Sequence, residues 1–186
     1  MKRNIVMAAI MSLFVLAIGV SAQDAKKGGS FSGTWNLDTS KSDDAVKTRF
    51  KSQTLTITQD AENFKISTKS EMNDPPAGGG GAGGGAGGGG GRGMGGGMGG
   101  PGDQSYSFTK ETSTERKSPD GSMTFTSKTK AELSGSKVTI NTTTSGGPNG
   151  ETKSATTYEL SSDGKTLTVT RPGRQGATTK SVYTKG

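Results

Sequence analysis

From residue 31 onward, apolar and polar side chains alternate with a period of two, in short runs separated by turn-forming residues. That is the pattern of antiparallel strands with one buried and one wet face. The first run covers 31–37. A charged connector containing Asp43, Asp44 and Arg49 follows, with room for one helical turn. Residues 54–59 place Leu55 and Ile57 on one face, 60–63 make a tight turn, and 63–69 return with Phe64 and Ile66 alternating, which reads as a hairpin. Tyr106 and Phe108 repeat the spacing in 104–110. Further runs at 112–117, 123–133, 137–145, 152–160, 165–171 and 178–184 are punctuated by Pro119-Asp120-Gly121-Ser122, Ser134-Gly135-Ser136, a loop at 146–150, Asp163-Gly164 and Pro172-Gly173. Val138, Ile140, Leu167 and Val169 mark inward positions, with Val182 or Tyr183 inward in the last run. Threonine, a good strand former, is expected mainly on outward faces.

About ten strands in simple succession, with no long helix among them, predict an all-β chain. The expected architecture is an antiparallel up-and-down meander closing into a small barrel of about 8–10 strands. Closure is favoured over a sandwich because it removes unpaired edges.

Three stretches fall outside this pattern. Lys2 and Arg3 precede an apolar run from Ile5 to Val20 that ends at Val20-Ser21-Ala22, the order of charge, hydrophobic run and small residues that marks a cleavable secretory signal peptide at 1–22. The run is shorter than the ~20 residues a spanning helix needs, and no cysteine at the cleavage site offers a lipid attachment point, so no stable membrane anchor is expected. Periplasmic or secreted localisation follows. Residues 23–30 are small, polar and charged, and read as a disordered leader. Residues 74–103 interrupt the barrel domain of 31–186 with a Gly-rich flexible loop, since 19 of the 25 residues from Gly78 to Gly102 are glycine and offer almost nothing to bury.

Composition then narrows the chemistry. The net charge of +7 becomes +5 once the two cations Lys2 and Arg3 leave, and the lysines are dispersed while aromatics make up only 5%, so no nucleic-acid footprint is expected. With no histidine and no cysteine, the commonest general base, thiolate ligands and disulfides are all excluded. Gly164-Lys165-Thr166 lacks the upstream glycine of a phosphate-binding loop, since Glu159 stands there, and a hairpin rather than a helix follows. The single Arg92 among glycines and the methionines Met72, Met94, Met98 and Met123 are better read as linker composition than as RNA-binding repeats or a copper site. Acids such as Asp43, Asp44, Glu111, Glu115 and Glu132 lie at strand ends among lysines, which suits surface charge balance. No enzyme, cofactor or metal is expected.

Phe31-Ser32-Gly33-Thr34-Trp35-Asn36-Leu37, with its Gly-x-Trp signature, resembles the opening strand of lipocalin-like calycin barrels. Together with Asp38-Thr39-Ser40-Lys41-Ser42-Asp43 and the stretch from Asp163-Gly164-Lys165 to Arg171, it is similar to small exported bacterial proteins of that sort. The resemblance implies a closed-end barrel plug of Gly33, Trp35 and a late-strand arginine, for which Arg171 is the candidate, its guanidinium covering the indole ring. The Arg-x-Tyr carboxylate clamp of fatty-acid-binding relatives is not expected, because the closing strand reads Lys180-Ser181-Val182-Tyr183.

The function these readings imply is non-enzymatic binding of a small amphipathic or hydrophobic ligand, with Leu55, Ile57, Phe64, Ile66, Tyr106 and Phe108 as candidate ligand-binding residues. The same six positions would also simply fill a core. In that case the alternative is a structural or interaction module of the cell envelope that displays the glycine loop to a protein partner. Expressed in a bacterial host, the exported product should begin at Gln23 by intact-mass measurement; a product retaining 1–22 would overturn the export reading.

Overall fold

The structure, a computed structural model, describes residues 29–73, 102–148, 150–173 and 176–186. The predicted signal peptide, nearly all of the leader and positions 74–101 of the predicted glycine loop lie outside the described residues.

Ten strands follow in order: β1 (Gly33–Leu37), β2 (Phe50–Gln59), β3 (Asn63–Met72), β4 (Gly102–Ser107), β5 (Thr112–Lys117), β6 (Thr124–Ser134), β7 (Lys137–Gly147), β8 (Gly150–Leu160), β9 (Thr166–Pro172) and β10 (Thr178–Lys185). Each ladder is antiparallel, and the strand order β4-β3-β2-β1-β10-β9-β8-β7-β6-β5 joins the first strand to the last. The meander therefore wraps into a nearly closed barrel, as its sequence pattern predicts. No hydrogen-bonded ladder joins β4 to β5, the two ends of that order.

A 3-10 turn (Thr39–Lys41) and a short helix, α1 (Asp44–Arg49), occupy the charged connector. They are tied to the flank of β10: the Asp38 and Asp43 amides donate to the Val182 and Lys180 carbonyls, and the Val182 amide donates to Ser42 Oγ at 2.9 Å. Val46 of α1 and Val182 are both buried, so this crossing covers the outward side of the last strand.

One predicted boundary is corrected. The loop expected at 146–150 is mostly strand, because β7 runs to Gly147 and β8 starts at Gly150, with a register shift between Thr144 and Gly147. Gly146 makes this possible: its φ is +91°, and a Cβ there would sit 2.0 Å from the Thr124 carbonyl oxygen. Only glycine lets β6 pass that closely.

The core gathers inward residues from both walls. Phe31, Trp35, Leu55, Ile57, Phe64, Ile66, Ala131, Val138, Ile140, Tyr158, Leu160, Leu167, Val169 and Tyr183 form one buried cluster. Phe64 on β3 meets Tyr158 on β8 edge-on at 5.3 Å between ring centroids, and Phe31 at 5.7 Å. Opposite walls thus touch in the lower half of the barrel.

Four aspartates set turns by accepting hydrogen bonds from nearby backbone amides and hydroxyls: Asp38 from Ser40 and Lys41, Asp60 from Glu62 and Asn63, Asp120 from Ser122, and Asp163 from Lys165. Hydrogen bonds from Ser40 and Lys41 hold Asp38 at about 2, against an ordinary 3.8, and those from Ser118 and Ser122 do the same for Asp120. Asp60 and Asp163 are lowered for the same reason, Asp60 chiefly by backbone amides and Asp163 chiefly by the Ser161 hydroxyl. A carboxyl whose folded pKa lies below its unfolded one contributes stability above the unfolded value and loses it as pH falls through the folded value. The melting temperature should therefore drop between about pH 4 and pH 2. Converting all four to asparagine should flatten that drop; an unchanged acid profile in the quadruple variant would refute the assignment.

Candidate functional site

Inward positions on three consecutive strands bring together the one buried cation of the described residues. On β9 the alternation Leu167, Val169, Arg171 points all three side chains into the barrel, and Arg171 is 9% exposed. Tyr158 on β8 pairs across from Val169, and Tyr183 on β10 pairs across from Leu167. Tyr158 and Tyr183 are the nearest electrostatic partners of the Arg171 guanidinium. Tyr183 Oη donates onward to Gln53 Oε1 on β2 at 2.5 Å, and Gln53 Nε2 donates to Ser70 Oγ on β3 at 2.7 Å. A hydrogen-bonded relay thus crosses from β10 to β3 beside Arg171.

The electrostatics follow from burial. Desolvation pulls the Arg171 pKa down, but the facing Tyr158 and Tyr183 hydroxyls outweigh it, so the net direction is upward and the guanidinium stays charged. Burial raises Tyr158. Tyr106, half-buried on β4 and bonded through its hydroxyl to Gln104 Oε1 at 2.8 Å, is pushed up to about 12 by burial and by the Tyr158 hydroxyl, partly offset by Arg171. Ion pairs lie elsewhere, for example on Lys41, Lys47 and Lys128, and among the described residues no carboxylate pairs with Arg171. Five N–H donors face two phenol oxygens.

The expected plug is corrected. Trp35 is fully buried with its Nε1 donating to the Phe31 carbonyl at 2.8 Å, but the cation over its ring is Lys185, at 5.3 Å from the centroid. Register explains the exchange. Trp35 pairs with Lys185, whereas Arg171 pairs with Thr179, six residues away along β10 and therefore roughly 20 Å distant. Gly33 contributes as part of the Gly-x-Trp signature: a Cβ there would lie 3.2 Å from Lys185 Cε, so the glycine leaves room for the lysine stem that covers the indole.

The six candidate ligand-binding residues are brought together, but as packing. Leu55, Ile57, Phe64 and Ile66 are fully buried in the core cluster, and Tyr106 and Phe108 are half-buried against it, Phe108 with its ring 6.2 Å from that of Phe64. They form a filled floor beneath Arg171. The arginine–tyrosine cluster was not expected from the sequence, because no single strand carries both residue types in sequence proximity. Alternation alone could have found Arg171, which continues the inward series from Leu167 and Val169.

No family model matches the chain, and no curated protein matches it. Solved structures similar to it include a fatty acid binding protein of Schistosoma mansoni in complex with arachidonic acid, at 18% identity over 86% of this chain and 98% of that one, with a TM-score of 0.46. Secretory abundant heat soluble protein 4 from Ramazzottius varieornatus matches at 16% identity over 83% and 94%, TM-score 0.46. The fluorescent protein UnaG matches at 13% identity over 84% and 97%, TM-score 0.45. Likenesses of this size assign no function to the chain.

Replacing Tyr183 by Phe removes the hydroxyl that donates to Gln53. Leaving the buried Gln53 short of a hydrogen bond should lower unfolding free energy by about 1–3 kcal/mol in a denaturant titration. A change below about 0.5 kcal/mol would show that the relay is not a supporting element.

Proposed function

We propose that this chain is an exported, non-enzymatic binding protein whose barrel takes a small amphipathic molecule with an anionic group seated on Arg171. The observation that carries this reading is a buried guanidinium, flanked by two tyrosine hydroxyls, with no carboxylate against it among the described residues. A ligand carboxylate supplies what the site lacks: a counter-charge and acceptors for two parallel N–H donors of the planar fork. Because Arg171 is held charged, affinity should stay level across neutral pH and fall only where the ligand's own carboxylate protonates, near pH 4. Catalysis has little to work with, since the chain has no histidine or cysteine. Export rests on the signal sequence at 1–22.

A second reading is favoured by the packed floor, in which rings from opposite walls meet. There the barrel is a filled scaffold that displays its glycine-rich insertion to a protein partner, and Arg171 only ties strands together.

The two readings separate by calorimetry on the purified protein with octanoate, benzoate, cyclohexanecarboxylate and D-glucuronate. At least one should bind, and Arg171→Gln should weaken that one by about tenfold or more, the size of a lost charge-assisted hydrogen-bond pair. Absence of binding by all four at millimolar concentration, or affinity unchanged in Arg171→Gln, would overturn the anion reading in favour of the scaffold.

A further inference from the structure

The wall above the packed floor has a chemistry of its own. On β7 the inward series Val138, Ile140 continues into Thr142 and Thr144; on β6 the series Leu133, Ala131 continues into Thr129 and Ser127; on β8 Leu160 and Tyr158 continue into Thr156 and Ser154. The lining changes from hydrocarbon to hydroxyl at Thr129 and Thr142 on β6 and β7, and one inward step lower, at Thr156 opposite Ile140, on β8. The register makes these positions neighbours: Ser127 opposite Thr144, Thr129 opposite Thr142, and Thr142 opposite Ser154. The hydroxyls face one another across the ladder, with Ser127 Oγ 3.1 Å from Thr144 Oγ1 and Thr129 Oγ1 3.5 Å from Thr142 Oγ1. All six are half-buried.

Strand propensity alone does not account for this tier. The charged residues of β6, β7 and β8, which are Lys128, Lys130, Glu132, Lys137, Glu151, Lys153 and Glu159, all fall on the alternate, outward positions. A sheet extending past its core into solvent would be wet on both faces and would have no reason to confine charge to one. Here the inward face of β6, β7 and β8 carries no charged side chain and, above Ile140 on β7, no large hydrocarbon; the inward charge of this wall is Arg116 on the neighbouring β5, over the ring of Phe125. Arg171 stands at the lower border of this tier. Tyr158 pairs with Val169 and Thr157 with Thr170, so the next step along the ladder brings Thr156 level with Arg171.

Resting on the anion reading above, we infer that the site is built for a compact, hydroxyl-bearing cyclic carboxylate of the uronic-acid kind rather than for a long-chain fatty acid. The carboxylate meets Arg171, and ring hydroxyls exchange hydrogen bonds with the threonines and serines of β6, β7 and β8. The apolar C–H face lies toward the aromatic surface of Tyr106. A long acyl chain has no comparable place, because the volume below Arg171 holds the ring of Phe64 packed against those of Tyr158 and Phe31. Each threonine can donate or accept, so a hydroxylated ring is satisfied in several orientations.

D-glucuronate and cyclohexanecarboxylate share a six-membered ring and a carboxylate and differ in the hydroxyls, which makes them the test pair. Calorimetry on the wild-type protein should show D-glucuronate binding more tightly. In the double variant Thr142→Val with Thr144→Val, D-glucuronate should weaken about fivefold or more while cyclohexanecarboxylate stays within twofold. The double variant Thr142→Ser with Thr144→Ser, which keeps the hydroxyls, should restore D-glucuronate and guards against a folding effect of valine. Tighter binding of cyclohexanecarboxylate by the wild-type protein, or D-glucuronate affinity unchanged in the valine variant, would overturn this inference while leaving the anion reading intact. If neither carboxylate responds to Arg171→Gln, the anion reading itself fails, and the inference with it.

Discussion

The barrel is governed by a shortage of hydrocarbon. Ten strands wrapped into a nearly closed barrel offer more inward positions than a chain with only 27% hydrophobic residues can fill, and part of that fraction lies in the N-terminal run before residue 31. Close packing at native density allows no thin spreading of side chains through the whole interior. The chain instead concentrates its large residues at one end, where Trp35, Phe31, Phe64 and Leu55 pack across the barrel, and lines the rest with threonine, serine and glutamine. The polar tier, the buried arginine and the relay through Gln53 all follow from that division.

The same scarcity shapes the edges. The end strands β4 and β5 carry unpaired backbone groups, which invite pairing with other chains. β5 is exposed along its whole length and bears Glu115, Arg116 and Lys117, charges that discourage edge-to-edge association. At the other junction closure is secured by side chains as well as by ladder: β1 pairs with β10 over three residues only, and Asp38, Ser42 and Asp43 continue the attachment along β10 after β1 has ended. The mixed-charge connector is therefore part of the wall.

Much of this was legible in the sequence. Alternation in Leu55, Ile57, Phe64, Ile66, Val138, Ile140, Leu167 and Val169 gave the strands, their inward faces and the meander, because period two is enforced by the backbone itself. What alternation does not encode is which strand ends lie at the same height. The resemblance to lipocalin-like barrels puts Arg171 beside Trp35, and only the register across β10 sets their partners there, Thr179 and Lys185, six residues apart. The inward threonines were missed for a related reason. Threonine suits either face of a strand, so its identity carries no directional signal until neighbouring strands fix the phase. Gly33 makes space for Lys185, the cation that covers the indole in place of the expected Arg171, and neither alternation nor the Gly-x-Trp pattern names that partner.

The weight placed on Arg171 comes down to what a buried cation requires. Removing a guanidinium from water costs several kcal/mol even after relaxation. The two neighbouring phenols, Tyr158 and Tyr183, favour the charged form without neutralising it. A purely structural arginine would be better served by a carboxylate, and an apolar residue would serve better still, since well-packed hydrocarbon often equals or exceeds a buried ion pair. Neither substitution is made in a chain that has 16 acidic residues to draw on. The guanidinium therefore keeps both its charge and free donors at the border between an apolar floor and a hydroxylated wall. An arriving anion would find most of the guanidinium's desolvation already made by the fold, so a larger share of its interaction with Arg171 would appear as affinity.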